Sequence, residues 1–471
     1  AVESFNSKVK KETVTESLSE FDATLGLELS TGRKTQQLAS AFSSPNRMEN
    51  DNDNWGLSLS QKLVTGANYQ FDFTNNRNKT NSATAGLNPS YSSEFQLSLT
   101  QPLLKNFGID LNKRNIHIAN NEVDISDHKF KSKLIETVSE VESIYWDFVF
   151  TLGDLEVKQK SLERAKDLQR RVEAQVLVGI MAPIETLQAQ SEVASREEFL
   201  LSAQDSIDDN QDKLKNILNI DFSSPDGLSP IYPSSEAYVL IEDFDFNEIV
   251  KMALANRPDF LAIKKDLESK DILVKYQENQ IYPSVDLVGS LGINGLSGEA
   301  TTITSGTFQG TSAYGGNYGN SLTDALSTNY YDWEFGVKFS YPLGNRSAKS
   351  KLSASRLEKA QLILGIKDLE KKIILEVRES ARQLKTDSKR IKAATVAKKL
   401  AEEKLKAEEK KFEVGLSTSF NVLKFQEDLA EAQSNEIKTI IDYKQSRIRF
   451  RQSISSTLKH HDLTLTTKET T

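Results

Sequence analysis

The sequence contains no cysteine. That excludes disulfides, thiolate metal sites and a lipidated N-terminal cysteine, and is compatible with an oxidising compartment. Histidine is nearly as scarce. The four present (His117, His128, His460, His461) offer little for a metal centre, and the last two lie in a polar tail that reads as solvated. No apolar run reaches the length of about 18 residues needed for a transmembrane helix, so any membrane role falls to strands. No signal peptide opens the chain, and Ala1 fits a residue left by cleavage as well as a start inside an element. The formal net charge of −8 leaves no basic footprint, and nucleic acid is not an expected partner. A phosphate-binding glycine loop, an HExxH motif and a nucleophile with a nearby base are all missing. No catalytic residue, cofactor or metal ligand is therefore expected.

Proline is also sparse. All ten prolines fall outside residues 103–182 and 343–471, so the strongest helix breaker is absent from two long stretches. Within 111–178 the only glycine is Gly153, and within 346–413 it is Gly365. Each stretch, as a helix, would extend roughly 100 Å at ~1.5 Å per residue. Leu134, Val138, Val141, Tyr145, Phe148, Leu152 and Leu155 recur at alternating steps of four and three, the seam of a coiled coil. Leu362, Ile366, Leu369 and Ile373 repeat it, and Val377, Leu384 and Ile391 continue it. Charged runs such as 398–404 read as solvated helix faces. With 38% hydrophobic and 27% charged residues, the chain suits long helices with narrow seams better than large compact cores.

Four short segments change to strict alternation. They lie at about 21–30, 93–101, 284–293 and 331–341. The last places Tyr331, Trp333, Phe335, Val337, Phe339 and Tyr341 against Asp332, Glu334, Gly336, Lys338 and Ser340. One apolar face, one polar face and aromatic ends make the pattern of a membrane barrel strand. The stretches between paired strands, about 31–92 and 294–329, are rich in Asn, Ser, Thr and Gly and read as solvent-facing loops. The first contains a possible extra hairpin at about 55–73, whose placement the sequence leaves open.

The chain is an internal duplication. Each copy runs strand, loop, strand, proline turn, long helix, glycine tip, returning helix. From Gly108 to Gly179 is 71 residues, as it is from Gly344 to Gly415. The first copy occupies 1–220, with its long helix at about 109–178, tip at 179–183 and return helix at 184–219. A linker at 221–245 follows. The second copy occupies 246–455, with a lead-in helix at 246–280, long helix at 346–413, tip at 414–418 and return helix at 419–455. A polar tail fills 456–471. In the first copy only the end of a lead-in, about 4–20, is visible, as though its beginning were lost or lay before the first residue.

Leu97 to Gly108, Ala255 to Asp259, and Phe412 to Ser417 with Asn421-Val422-Leu423 together resemble the TolC-like outer-membrane efflux proteins over nearly the whole chain. The resemblance implies an α+β membrane protein. Three chains, each a duplicated strand–strand–long-helix–helix unit, would form a 12-stranded outer-membrane β-barrel plus a long periplasmic α-helical barrel. It also implies a homotrimer in outer-membrane lipid, coupled through a periplasmic adaptor protein to an inner-membrane pump of a tripartite efflux or type I secretion system. Docking at the tips would fall to Val178, Gly179 and Ile180, and to Val414, Gly415, Leu416 and Ser417. The lipid-facing aromatics would be Tyr331, Trp333, Phe335, Phe339 and Tyr341. Beyond the second tip the resemblance calls for aspartates that narrow the entrance; the chain instead has Asn421 and Lys424 there, with Glu185 in the first copy. Only three methionines (Met48, Met181, Met252) give no support to metal export. A soluble coiled-coil structural protein is the other reading the helices allow.

Overall fold

A computed structural model describes residues 2–37, 47–234, 245–305 and 308–463. Its first half contains α1 (Val2–Leu18), β1 (Thr24–Gln37), β2 (Arg47–Lys62), β3 (Asn68–Thr80), β4 (Leu87–Pro102), α2 (Ile109–Asn112), α3 (Arg114–Leu177), α4 (Ile184–Ile217) and α5 (Pro225–Leu228). The second half contains α6 (Phe246–Asn256), α7 (Pro258–Asn279), β5 (Ser284–Ala300), β6 (Thr302–Ser305), β7 (Phe308–Thr311), α8 (Tyr318–Leu326), β8 (Tyr331–Ser340), α9 (Arg346–Glu413), α10 (Ser419–Ser453) and α11 (Thr457–His460). The chain divides into two compact units, Ala1–Ser126 with Lys264–Leu364 and Asp127–Ile263 with Gly365–Thr471.

The first unit is built on one antiparallel sheet in the order β1-β2-β3-β4-β5-β8. Its register aligns side chains into rows that cross all six strands. Leu27, Leu57, Phe73, Phe95, Ile293 and Tyr331 form one row, and Leu25, Leu59, Phe71, Leu97, Leu291 and Trp333 the next. Because successive side chains alternate between faces, the opposite face reads Gly26, Ser58, Asp72, Gln96, Gly292 and Asp332 at the same level. Stacked rings of Phe73 and Phe95, 4.2 Å between centroids, and an edge contact of Trp55 on Phe73 at 5.2 Å tie the apolar rows together.

The sequence reading of this unit needs two corrections. The sheet has six strands, because the hairpin β2–β3 lies between β1 and β4. Stretches expected as loops are largely strand: β1 continues to Gln37, β4 begins at Leu87 and β5 reaches Ala300. Polar residues on both faces of a strand beyond its apolar rows look like loop composition, which is why alternation alone stops short. Residues 38–46 and 306–307 of those stretches lie outside the described residues.

The strand-to-helix corners are held by asparagines. Asn279 Oδ1 accepts from the Asn106 N–H at 2.7 Å, and its Nδ2 donates to the Leu104 carbonyl at 2.9 Å. Asn345 Nδ2 donates to the Ile281 carbonyl at 3.0 Å. The long helix expected from 109 is interrupted at Lys113, where Asn112 Nδ2 turns back to the carbonyls of Asn106 and Gly108, both at 2.9 Å. The lead-in expected at 246–280 is two helices, since Pro258 forces Arg257 into an extended conformation.

In the second unit the helices pack along a seam carried by α9. Ile373, Val377, Leu384, Ala394, Leu405 and Phe412 are buried at heptad spacing. Ile373, Val377 and Leu384 meet Ile249, Ala253, Tyr443 and Phe450, while Leu405 and Phe412 meet Leu168, Val172, Val422 and Leu423. Three other seam positions are polar and individually partnered. Ser380 faces Ser453 at 2.9 Å, Asp387 accepts from Ser446, and Lys398 pairs with Glu436 at 2.8 Å. Such polar seam positions fix helix register at some cost in stability. Of the seam proposed on α3, only Phe148 is fully buried; Ile135, Trp146, Val157 and Leu162 are buried beside it. The tail begins with α11, whose Thr457 and Leu458 are packed and buried, whereas His460 and His461 are exposed, as expected of a solvated tail. Residues 464–471 of the tail and 235–244 of the linker lie outside the described residues.

Candidate functional site

Both helical tips are closed by the same backbone device. After α3, Gly179 N–H donates to the Val176 carbonyl at 3.0 Å and Ile180 N–H to the Gln175 carbonyl at 2.8 Å. After α9, Gly415 donates to Phe412 at 3.0 Å and Leu416 to Lys411 at 2.8 Å. This paired pattern is the Schellman motif, which needs a residue in the left-handed region. The two glycines supply it, with φ of 76° and 79°. A side chain at either position would meet no other atom of this chain within 4 Å. The requirement is therefore conformational, and the space beside each glycine is open.

Around the glycines the tips present apolar side chains to solvent. Leu177 is 87% exposed, Ile180 74% and Leu416 78%, with Val178 and Val414 close behind. Burying such groups is worth about 25 cal/mol per Å², so each exposed cluster carries free energy that only further burial would release. Ser417 differs in role. Its hydroxyl donates to Glu408 Oε1 at 2.6 Å, and Lys411 Nζ donates to Glu408 Oε2 at 2.9 Å. Those two bonds, the Ser417 bond foremost, hold the Glu408 carboxyl below the usual glutamate range. Thr418 then caps α10 by accepting from the Asn421 N–H.

The three residues expected at an entrance lie at the start of α4 and in the first turns of α10. Glu185 accepts from the Ser419 hydroxyl, at the foot of α10. Asn421 and Lys424 stand exposed one turn apart on α10. Lys424 is paired with Glu427 at 2.9 Å and Asp428 at 3.4 Å, and the Glu427 bond leads in raising its pKa above the ordinary lysine value. The local charge is thus net negative, carried by two residues that the reading of the tip motif alone does not reach. Arg196 is a second omission. Its side chain is buried and donates to the Ser161 carbonyl at 3.0 Å, the Leu423 carbonyl at 3.0 Å and Gln426 Oε1 at 3.3 Å. It fastens α4 to α3 and α10 just behind the tips. A lone charged residue in a helix gives no sequence signal of such burial.

On β8, Tyr331, Trp333, Phe335 and Phe339 are each 64–69% exposed, and Tyr341 just beyond its end is 39% exposed. No helix among the described residues is long and apolar enough to cross a membrane. The exposed apolar side chains of β8 form one continuous face of that strand.

A family model described as outer membrane efflux protein matches residues 22–219 and 249–456. The chain belongs to the outer membrane efflux protein family. The two matched segments follow the internal duplication. Solved structures of similar fold include the outer-membrane channel OprN (12% identity, TM-score 0.67, covering 96% of this chain and 86% of that one). The Campylobacter jejuni CmeC outer membrane channel matches at 13% identity with a TM-score of 0.64, over 98% and 86%. The outer membrane protein VceC from Vibrio cholerae matches at 15% identity with a TM-score of 0.65, over 96% and 92%. None of the curated protein sequences matches the chain. This outer membrane efflux protein is accordingly an outer-membrane channel with a periplasmic extension. A soluble coiled-coil structural protein would leave the two-faced sheet without a role.

Proposed function

We propose that this protein is the exit duct of a tripartite efflux or type I secretion system, working as a homotrimer whose tips receive a periplasmic adaptor protein and, through it, an inner-membrane pump. The observation that carries the reading is the matched pair of tips. Two glycine-closed hairpins, set at the same spacing from Gly108 to Gly179 and from Gly344 to Gly415, expose apolar clusters, Val178 and Ile180 on one and Val414 and Leu416 on the other. Trimerisation is supported by the sheet, whose two edges need partners before it can sit in lipid. The aromatic row from Tyr331 to Tyr341 would face that lipid. The duct does no chemistry; its polar faces hold water and transport energy comes from the pump. Asn421, Lys424, Glu427 and Asp428 on α10 would line the entrance, giving each chain one cation and two anions there.

The test is reconstitution in a host lacking its own duct, together with an adaptor and pump from one system. Restored export, with cysteines placed at Ile180 or Leu416 cross-linking to the adaptor, is the expected result. Export that proceeds while neither tip cross-links anywhere along the adaptor would remove the docking assignment.

A further inference from the structure

We infer that three copies of this chain close a barrel of eighteen strands, six from each, and not the twelve that four strands per chain would give. The inference rests on the homotrimeric duct proposed above and concerns what fills the sheet edges: a second copy of this chain.

The hairpin β2–β3 crosses the whole sheet. It contributes Leu57 and Leu59, then Phe71 and Phe73, to the same apolar rows as Phe95, Leu97, Leu291 and Trp333, and sets Trp55 opposite Leu29 of β1. On the other face it contributes Gly56, Ser58, Asp72 and Thr74 to polar rows that run on through Glu94 and Gln96. A hairpin lying outside the barrel has no reason to match both faces, row by row, with the strands on either side of it.

Both its ends are built in. At the turn, the Gly108 N–H donates to the Thr65 carbonyl at 3.3 Å. A side chain on Gly66 would stand 2.5 Å from the Asn106 carbonyl and 2.8 Å from Asn112, so this turn fits closely against the corner that starts the helices. At the far end α8 lies across four strands. Tyr318 packs on Trp55 of β2 at 5.7 Å and donates to Asn75 of β3 at 2.9 Å. Ser321 meets Ser93 of β4 at 3.0 Å, and Gly295 of β5 leaves room for α8 where any side chain would overlap the Ser321 carbonyl.

The free edges then fit one another. Six alternating strands leave β1 and β8 running in opposite directions, so β8 of one copy lies antiparallel to β1 of the next. Odd-numbered residues are apolar on both, Leu25, Leu27 and Leu29 against Phe335, Val337 and Phe339, so pairing them keeps each face continuous. Closing the ring removes every unpaired edge. Barrel diameter grows about linearly with strand number, so the eighteen-stranded barrel would be ~1.5-fold wider than a twelve-stranded one of the same tilt.

The experiment is a density map of the intact protein in detergent, at a resolution that separates strands. Three chains around eighteen strands is the expected result. Three chains around twelve strands, with 47–80 outside the wall, overturns the inference while leaving the trimeric duct intact; a particle that is not a trimer overturns the duct reading itself. Disulfide trapping in the outer membrane gives a second readout without purification. The cross-strand pairs Ser30→Cys with Asn54→Cys and Asn76→Cys with Ser92→Cys should each close within one chain, and failure of both to form would contradict a hairpin in the wall.

Discussion

The hydroxyl of Ser417, in the second tip, donates to Glu408, inside the C-terminal end of α9, at 2.6 Å. Glu408 is a seam position of α9 and nearly buried, so a single carboxylate joins helix packing to the tip conformation. Its folded-state pKa lies below the ordinary glutamate value, with the Ser417 bond as the largest cause. A depressed carboxylate contributes stability that is complete above the unfolded pKa and is lost as pH falls through the folded one. Amide exchange at Ser417, Ser419 and Phe420, corrected for intrinsic rates, should therefore rise as pH is lowered below about 4.5. Glu408→Gln should flatten that dependence; an unchanged profile in the variant would show that the clasp does not order the tip.

Gly415 separates strain from contact. Gly415→Ala must hold a left-handed φ at a cost of about 1–2 kcal/mol but meets no neighbouring atom. Export should be close to normal in that variant. Gly415→Trp adds bulk where a partner's backbone would approach, and should impair export with trimers intact. Normal export by the tryptophan variant would remove the docking claim.

The polar face of the sheet is acidic within the apolar belt. Glu28, Asp72, Glu94, Asp286, Asp332 and Glu334 share it at these levels with two cations, Lys62 and Lys338. Water-filled pores lined by carboxylates favour cations. In planar bilayers under a salt gradient, the reversal potential should show cation preference, weaker at high ionic strength and weaker again in Glu94→Gln. Anion preference would place this face away from the lumen.

Phe335 stands in the middle of the bare aromatic row of β8. Lysine on the lipid side of a barrel costs about 2–4 kcal/mol near the bilayer midplane. Phe335→Lys should lower the yield of folded, heat-modifiable protein in vesicles several-fold, whereas Lys338→Phe on the opposite face should not. Equal yields for Phe335→Lys and the parent would argue against a lipid-facing row.

Much of this architecture is legible in the sequence because its signals are periodic. The seam of α9 can be followed from Leu362 to Ile391 by apolar spacing. It continues through Ala394, Leu405 and Phe412, but Lys398 and Glu408 interrupt the pattern and are recognisable only by the partners they meet. The four strands with long alternating runs are readable for the same reason. The hairpin β2–β3 is not placed by its own residues: Leu57 and Phe73 alternate correctly, yet only the register with Leu27 and Phe95 shows that they extend the sheet. At the tips, the glycines announce the turns, while Glu427, Asp428 and Arg196 gain their meaning from contacts across helices or along exposed turns. Sequence spacing shows neither.

The most direct test of the duct is the protein mass of the detergent-extracted, unheated particle, measured by light scattering with the detergent contribution subtracted. A stable particle of three chains that requires detergent for extraction is the predicted result. A monomer or dimer that dissolves without detergent would contradict the account.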